Sequence, residues 1–180
     1  MIQRLMERFG PTKRLRDEQG SSLIELALCL PMMLVLVFGL IDFSQIIFDN
    51  EVMSGITRQG SDLASRGTSL TDTVSALGTQ GAAMNIGTQG RIIVTEINNN
   101  NAGHPQIYDQ RESPTGIAAT SVTASWVQNP ARMPSNAKAV LNAGQSLYVT
   151  EVFYSYSPMT PVGGFLKTSL ASTLYEAAYF

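Results

Sequence analysis

From Leu26 to Ile41 the chain runs for sixteen residues, LALCLPMMLVLVFGLI, without a charge or a strong polar group. Counted from Leu23 the stretch is nineteen residues, interrupted only by Glu25. A helix rising ~1.5 Å per residue covers about 28 Å over that length, close to the ~30 Å of a bilayer's hydrocarbon core. A chain of 180 residues rarely surrounds such a helix on all sides, so the run predicts a membrane span rather than a core helix. Pro31 in its middle removes one backbone hydrogen bond and predicts a kink. Lipid tolerates this where neighbouring helices or local adjustment satisfy the freed carbonyl. Pro31 and Gly39 are the candidates for packing within the span.

Beyond Ile41 the apolar positions spread to helical spacing: Phe43, Ile46, Ile47, Met53, Ile56, Leu63 and Ala64. Asp49, Asn50, Arg58 and Asp62 fall on other faces, and Gly67 is the expected stop. The spacing therefore predicts one long helix, half in the membrane and half outside, whose outer apolar stripe has to be covered by later elements of the chain. Residues 71–86 predict a short second helix. The four residues GTQG at 78–81 recur at 87–90, and two copies read as turn chemistry rather than a repeat array. A strand is expected at Arg91–Ile97, then a polar surface loop from Asn98 to Gly116. Ala119–Gln128 alternates as a strand should, and Asn129–Gly144 reads as another loop. Ser146–Ser157 is the clearest strand, with Leu147, Val149, Glu151, Phe153 and Ser155 on one face and Tyr148, Thr150, Val152, Tyr154 and Tyr156 on the other. Pro158 and Pro161 close it, and Leu170–Phe180 supplies a last strand. The expected fold class is α+β: a long N-terminal transmembrane helix continuing into a helix packed on an antiparallel sheet of about four strands. The expected divisions are 1–20, 21–41, 42–67 and 68–180.

Charge then sets the orientation. Charged residues make up 14% of the chain, against ~25% in ordinary soluble proteins. Arg4, Arg8, Lys13, Arg14 and Arg16 place five of the twelve bases ahead of the apolar run, whereas the far flank opens with Asp42, Asp49 and Glu51. The excess of Lys and Arg keeps the N-terminus in the cytoplasm and sends everything after Ile41 outside. Without residues 1–20 the chain carries eleven acids and seven bases, a formal charge of −4. Such a surface gives no footprint for nucleic acid. Cys29 is the single cysteine, so the outer domain must hold by packing without an internal disulfide.

A basic head before an apolar stretch is shared by three export signals. No A-x-A-like site follows the run, which argues against ordinary signal peptidase. Leu28 stands before Cys29 where a lipoprotein signal needs a small residue. Gly20, by contrast, directly precedes the apolar segment, and Glu25, the fifth residue after it, is the only charge there. Gly10 fails the same comparison, with Pro11 next to it and Leu15 in fifth place. Ser22-x-x-Glu25 is also a capping-box pattern for a helix start. Both uses of Glu25 are compatible.

The arrangement of Gly20, Ser21 and Glu25 resembles the class III signal of type IV pilins, which a prepilin peptidase cuts after the glycine. A glycine there leaves the extended chain unobstructed in a protease cleft. The stretch SLIELALCLPMMLVLVFGLIDFSQIIF, residues 22–48, is similar to the N-terminus of TadE-like proteins, the minor pilins or pseudopilins of tight-adherence (Tad) systems. The likeness rests on Glu25, Leu30-Pro31, the aliphatic run and Gly39-Leu40-Ile41-Asp42-Phe43. Leu26 departs from the aromatic often found after the glutamate, and the outer domain lacks a cysteine pair. The resemblance implies cleavage between Gly20 and Ser21, and pairing of Glu25 with the new amino terminus of a neighbouring subunit. It implies as partners a prepilin peptidase, other pilin subunits, the pilus assembly platform and inner-membrane lipid. An unpartnered carboxylate in hydrocarbon costs ~2.5–3.5 kcal/mol on insertion scales, which favours such a pairing.

Little in the sequence points to catalysis. His104 is the single histidine, and no Cys/His cluster, P-loop, dinucleotide fingerprint or nucleophile elbow is present. Glu96, Asp109, Glu112 and Glu151 show no paired spacing. Tyr148, Tyr154 and Tyr156 read first as sheet positions and only second as an adhesive surface. No catalytic residue, metal, cofactor or small-molecule substrate is assigned. The rival to a cleaved pilin is an uncleaved single-pass envelope protein with a ligand-binding or regulatory outer domain.

Overall fold

The computed structural model describes residues 12–100, 104–164 and 173–180, with side chains from residue 20 onward. One helix, α1 (Thr12–Ser65, 54 residues), runs through the apolar segment and out of it without a break at Ile41, with Pro31 inside it. Its stop is built as expected. Gly67 adopts φ +90, a conformation that glycine enters without a Cβ penalty. The Thr68 amide then donates to Leu63 O at 3.2 Å and the Gly67 amide to Ala64 O at 3.1 Å, the paired bonds of a Schellman motif.

The region expected to form a second helix divides into three pieces. Helix α2 (Leu70–Gln80) is capped by Ser69, whose Oγ accepts the Asp72 amide at 3.1 Å and donates to Asp72 Oδ2 at 2.6 Å. It buries Leu70, Val74 and Leu77, one helical face. A 3₁₀ turn (Gly81–Met84) and the short α3 (Ile86–Gln89) come next, joined by Asn85 in the left-handed region at φ 54. Both GTQG copies end a helix, α2 and α3, and each final glycine packs against Ile86 where a Cβ would not fit. That agrees with their reading as turn chemistry.

Four strands are found among the described residues: β1 (Gly90–Asn99), β2 (Pro105–Glu112), β3 (Ser146–Ser155) and β4 (Thr173–Tyr179). They form an antiparallel sheet in the order β2-β1-β3-β4. Two sequence expectations are overturned here. The segment 98–116, read as a loop, supplies edge strand β2, because backbone pairing to β1 needs no apolar side chains at an edge. Conversely, 119–128 is no strand but holds helix α4 (Thr123–Gln128). The loop expected at 129–144 contains a 3₁₀ turn (Pro130–Arg132) and helix α5 (Ser135–Val140). Of the last strand expected at 170–180, residues 170–172 lie outside the described residues.

The two faces of β3 behave as their alternation requires, but both are covered. Val152, Tyr154 and Tyr156 join Met53, Ile56, Ala64, Leu77, Ile92 and Val94 under α1 and α2. Leu147 and Val149 pack on the opposite side with Ile97, Trp126, Met133 and Leu141. Each such side chain contributes ~1.5–3 kcal/mol by leaving water. The result is α+β with a pilin-like arrangement: a long helix laid on an antiparallel sheet, with a second, smaller helical layer behind it.

Candidate functional site

The apolar half of α1 is bare. No part of its most apolar window is buried against the rest of the chain, and Leu28 and Met32 are 74% and 69% exposed. Side chains this apolar, in a run this long, need lipid or other helices around them. Glu25 is exposed on the same stretch. Among the described residues it has no hydrogen-bond or ion-pair partner. Gly20 and Ser21 lie within the helix, and a Cβ at Gly20 or Gly39 would touch nothing within 4 Å. The fold therefore gives neither glycine a packing role inside one copy. One reading is corrected: α1 starts at Thr12, upstream of Ser22, so Ser22 and Glu25 lie inside the helix and do not cap its start.

Where α1 leaves the apolar run, the outer domain grips it. Asp42 is fully buried. Its Oδ1 accepts the Met159 and Thr160 amides at 3.1 and 3.2 Å, and its Oδ2 accepts the Thr160 hydroxyl. Tyr156 donates its hydroxyl to the Asp42 carbonyl at 3.2 Å. Gly163 must be a glycine here, since a Cβ would stand 2.4 Å from Asp42 Oδ2 and 2.2 Å from Pro158 Cβ. Two turns further on, Asp49 is 1% exposed, not on an outer face as its charge suggested. Its Oδ1 accepts from Gln45 Nε2 at 2.9 Å, while Oδ2 has no partner among the described residues. Burial raises its pKa above the usual carboxylate range, with the Gln45 bond acting against the shift. Burial likewise raises the Tyr154 and Tyr156 hydroxyls, helped by the Asp49 charge at Tyr154 and by the Asp42 and then the Asp49 charge at Tyr156.

Higher on α1, Gly60 brings the helix onto the sheet, with Thr150 and Leu77 within 2.8 Å of a would-be Cβ. The closeness lets Ser61 Oγ reach two strands at once: it accepts the Thr150 amide at 3.0 Å and donates to Ala178 O at 2.7 Å. Phe43 and Ile47 of the expected stripe are instead 59% and 47% exposed. The face that is buried runs through Asp42, Asp49, Met53, Ile56, Thr57, Gly60, Ser61 and Ala64.

The remaining acids do not converge on one point. Glu112 pairs with Arg91 at 3.0 Å, Asp109 with Arg111 at 3.3 Å, and Glu96 accepts from Ser146 Oγ at 3.0 Å. Glu151 is buried and caps α4, accepting from Ser121 Oγ, the Val122 and Thr123 amides at 2.8 and 3.2 Å, and Tyr175 Oη at 3.0 Å. The Tyr175 hydroxyl is pushed far up by burial and by the Glu151 charge. His104 is exposed just ahead of β2. Among the described residues no group of three or more His, Cys, Asp or Glu could hold a metal.

A bare apolar helix whose outer half is clamped onto an antiparallel sheet defines the class of helix-anchored, pilin-like proteins. Residues 20–62 match the family model of TadE-like proteins. This segment starts at Gly20, includes Glu25, Pro31, Gly39 and Asp42, and ends beside Ser61; its similarity to the family is consistent with a TadE-like pilin of Tad systems. That family is a pilin-type structural one. No curated protein and no solved structure matches the chain.

Proposed function

We propose that the chain is a minor pilin or pseudopilin of a Tad-type pilus, serving adherence. It inserts with its N-terminus in the cytoplasm, is cut after Gly20 by a prepilin peptidase at the inner membrane, and joins the assembly platform and other pilin subunits through α1. One observation carries this reading: a TadE-like segment begins at Gly20 and presents an apolar helix with no cover of its own and an acid, Glu25, with no described partner. Glycine within a helix costs ~1 kcal/mol relative to alanine, so Gly20 weakens α1 locally and eases its entry into a protease cleft. After the cut, Ser21 would begin the helix with a charged amino group and free amides. Glu25, about one turn in, then answers that charge in a neighbouring subunit.

N-terminal sequencing of the chain from cells with the peptidase tests the cut: a mature start at Ser21 supports it, and a start at Met1 leaves an uncleaved envelope protein instead. Gly20→Val should stay full length in the same cells. Glu25→Gln should be cleaved normally but enter fibres poorly, and normal incorporation of that variant refutes the pairing.

A further inference from the structure

The face of α1 turned away from the sheet carries its own pattern. At 3.6 residues per turn, Leu40, Ile47, Glu51 and Arg58 fall within about 40° of one another. They stand roughly opposite Asp42, Asp49, Ile56 and Gly60, which the sheet side buries. All four are exposed. Lipid does not cover the outer part of this face. Ile47 rises about 9 Å beyond Ile41, past a headgroup layer of ~5–8 Å on each side of the hydrocarbon. An apolar side chain held bare in water at the end of an apolar run points to a protein surface. Glu51 and Arg58 define which one. Seven residues apart, they lie two turns or about 10 Å from each other along the axis, too far to pair within one copy. The same spacing returns to the same face, so each meets its opposite when a second α1 is shifted by two turns.

We propose that this face is a register seam between parallel copies of the chain, in which Glu51 of one copy pairs with Arg58 of a second copy lying two turns lower. The same step sets Leu40 of the raised copy against Ile47 of the lower one and covers it. Other arrangements fail on charge or on the anchor. At equal depth Glu51 faces Glu51 and Arg58 faces Arg58, and such like-charge contacts are unfavourable. An antiparallel pair matches both charges, but chains anchored by the same run enter a membrane in one orientation. An exposed ion pair adds little affinity, so its effect is on the register chosen. The face is therefore repulsive while two copies share one depth, and complementary once one has advanced outward by two turns. The contact is heterologous: it leaves Arg58 of the raised copy and Glu51 of the lower one for further copies, so it extends rather than closing on two. The proposal rests on the reading that copies assemble through α1, but neither cleavage nor a pilus enters its test.

The test uses the full chain in detergent with its one cysteine removed by Cys29→Ser. One batch carries Leu40→Cys and a size tag, the other Ile47→Cys, so Glu51 and Arg58 stay in place and only exposed positions change. The batches are mixed in equal amounts and oxidised, and the disulfide-linked dimers are resolved by size. Random collision makes the mixed product equal to the two like products together. The seam should raise the mixed product roughly fivefold above that share at low salt, and added salt should shrink the excess. Glu51→Arg in both batches should abolish the excess, and Glu51→Arg with Arg58→Glu should restore it. A mixed product at the random share, or an excess that survives Glu51→Arg, overturns the proposal. Dominant like products overturn it in favour of an in-register dimer, and the absence of linked dimers overturns a seam between copies altogether. A start at Met1 in cells, with the mixed product still in excess, refutes the cleaved-pilin reading and leaves the seam standing.

Discussion

Replacing Ser61 by alanine should destabilise the outer domain far more than the loss of one hydroxyl on a helix usually does. Thr150 and Ala178 are partners in the β3–β4 register, and Ser61 Oγ stands between the amide of one and the carbonyl of the other, at 3.0 and 2.7 Å. Two residues along, Tyr148 and Phe180 still exchange direct bonds of 2.8 and 3.0 Å. Those bonds hold the strands at their spacing, so the ladder cannot simply close over an alanine. Leaving a buried backbone group without a partner costs ~1–3 kcal/mol. Two groups are affected and slight strand movement recovers part of the loss, which puts the expected penalty at about 2 kcal/mol. For a protein of this size that lowers the unfolding temperature by ~4–8 °C. Ser65→Ala is the control, because its hydroxyl bonds only an exposed carbonyl of its own helix, and its effect should stay within ~0.5 kcal/mol. Thermal unfolding in detergent gives the magnitude. Hydrogen exchange gives the place, with the Thr150 amide and the 173–180 segment losing protection in Ser61→Ala alone. Matching unfolding temperatures for the two variants, or unchanged exchange at Thr150, refutes the bridging role.

Two glycines of α1 should respond with opposite sign. Gly55→Ala meets nothing within 4 Å and should gain ~1 kcal/mol of helix propensity, whereas Gly60→Ala drives a methyl into Leu77 and Thr150 and should lower the unfolding temperature by several degrees despite the same propensity gain. Asp49 sets a pH dependence: its folded pKa lies above its unfolded one, so the stability it contributes is fully present below the unfolded value and is lost as pH rises through the folded one. Asp49→Asn in lipid-free detergent should flatten that fall and be the more stable form at neutral pH, read from unfolding temperatures between pH 4 and pH 8 (on the order of the carboxylate range). Glu151→Ala should cost at least ~3 kcal/mol by stranding the Ser121, Val122, Thr123 and Tyr175 donors, and fluorescence of Trp126, the single tryptophan, should shift to the red as α4 loosens. Glu151→Gln, which keeps one acceptor oxygen, should be the milder change.

What could be read from the chain was whatever local periodicity decides. The apolar run, the stop at Gly67 and strand β3 each carry their signal within a few residues, and each stands where that signal puts it. Residues 119–128 show the opposite case. Their alternation is real, but a carboxylate some thirty residues away, Glu151, accepts the amides of Val122 and Thr123 and starts a helix there. No window on the sequence contains both partners. Strand β2 was hidden for a related reason: a polar edge strand is held by its backbone, which is the same in every sequence. Asp42 and Asp49 depart from the usual link between charge and exposure. Asp42 is instead buried by partners 117 and 118 residues further along.

The buried acids of α1 also say how the two halves of the molecule are joined. An apolar seam alone would let the helix slide or turn along the sheet, since the burial of Met53, Ile56 and Ala64 is not directional. Hydrogen bonds are directional, and here they occur at both ends of the seam: Asp42 to the Met159–Thr160 turn, and Ser61 to β3 and β4. The nineteen residue steps from Asp42 to Ser61 set these fastenings about 28 Å apart along the axis. Two fixed points so far apart define both the height of the domain on the helix and the face it presents. Wherever α1 is held, its position therefore dictates the position of the sheet. Asp42 stands at the lower fastening as the first residue beyond the apolar run, and one step earlier its carboxylate would replace the exposed Ile41 side chain.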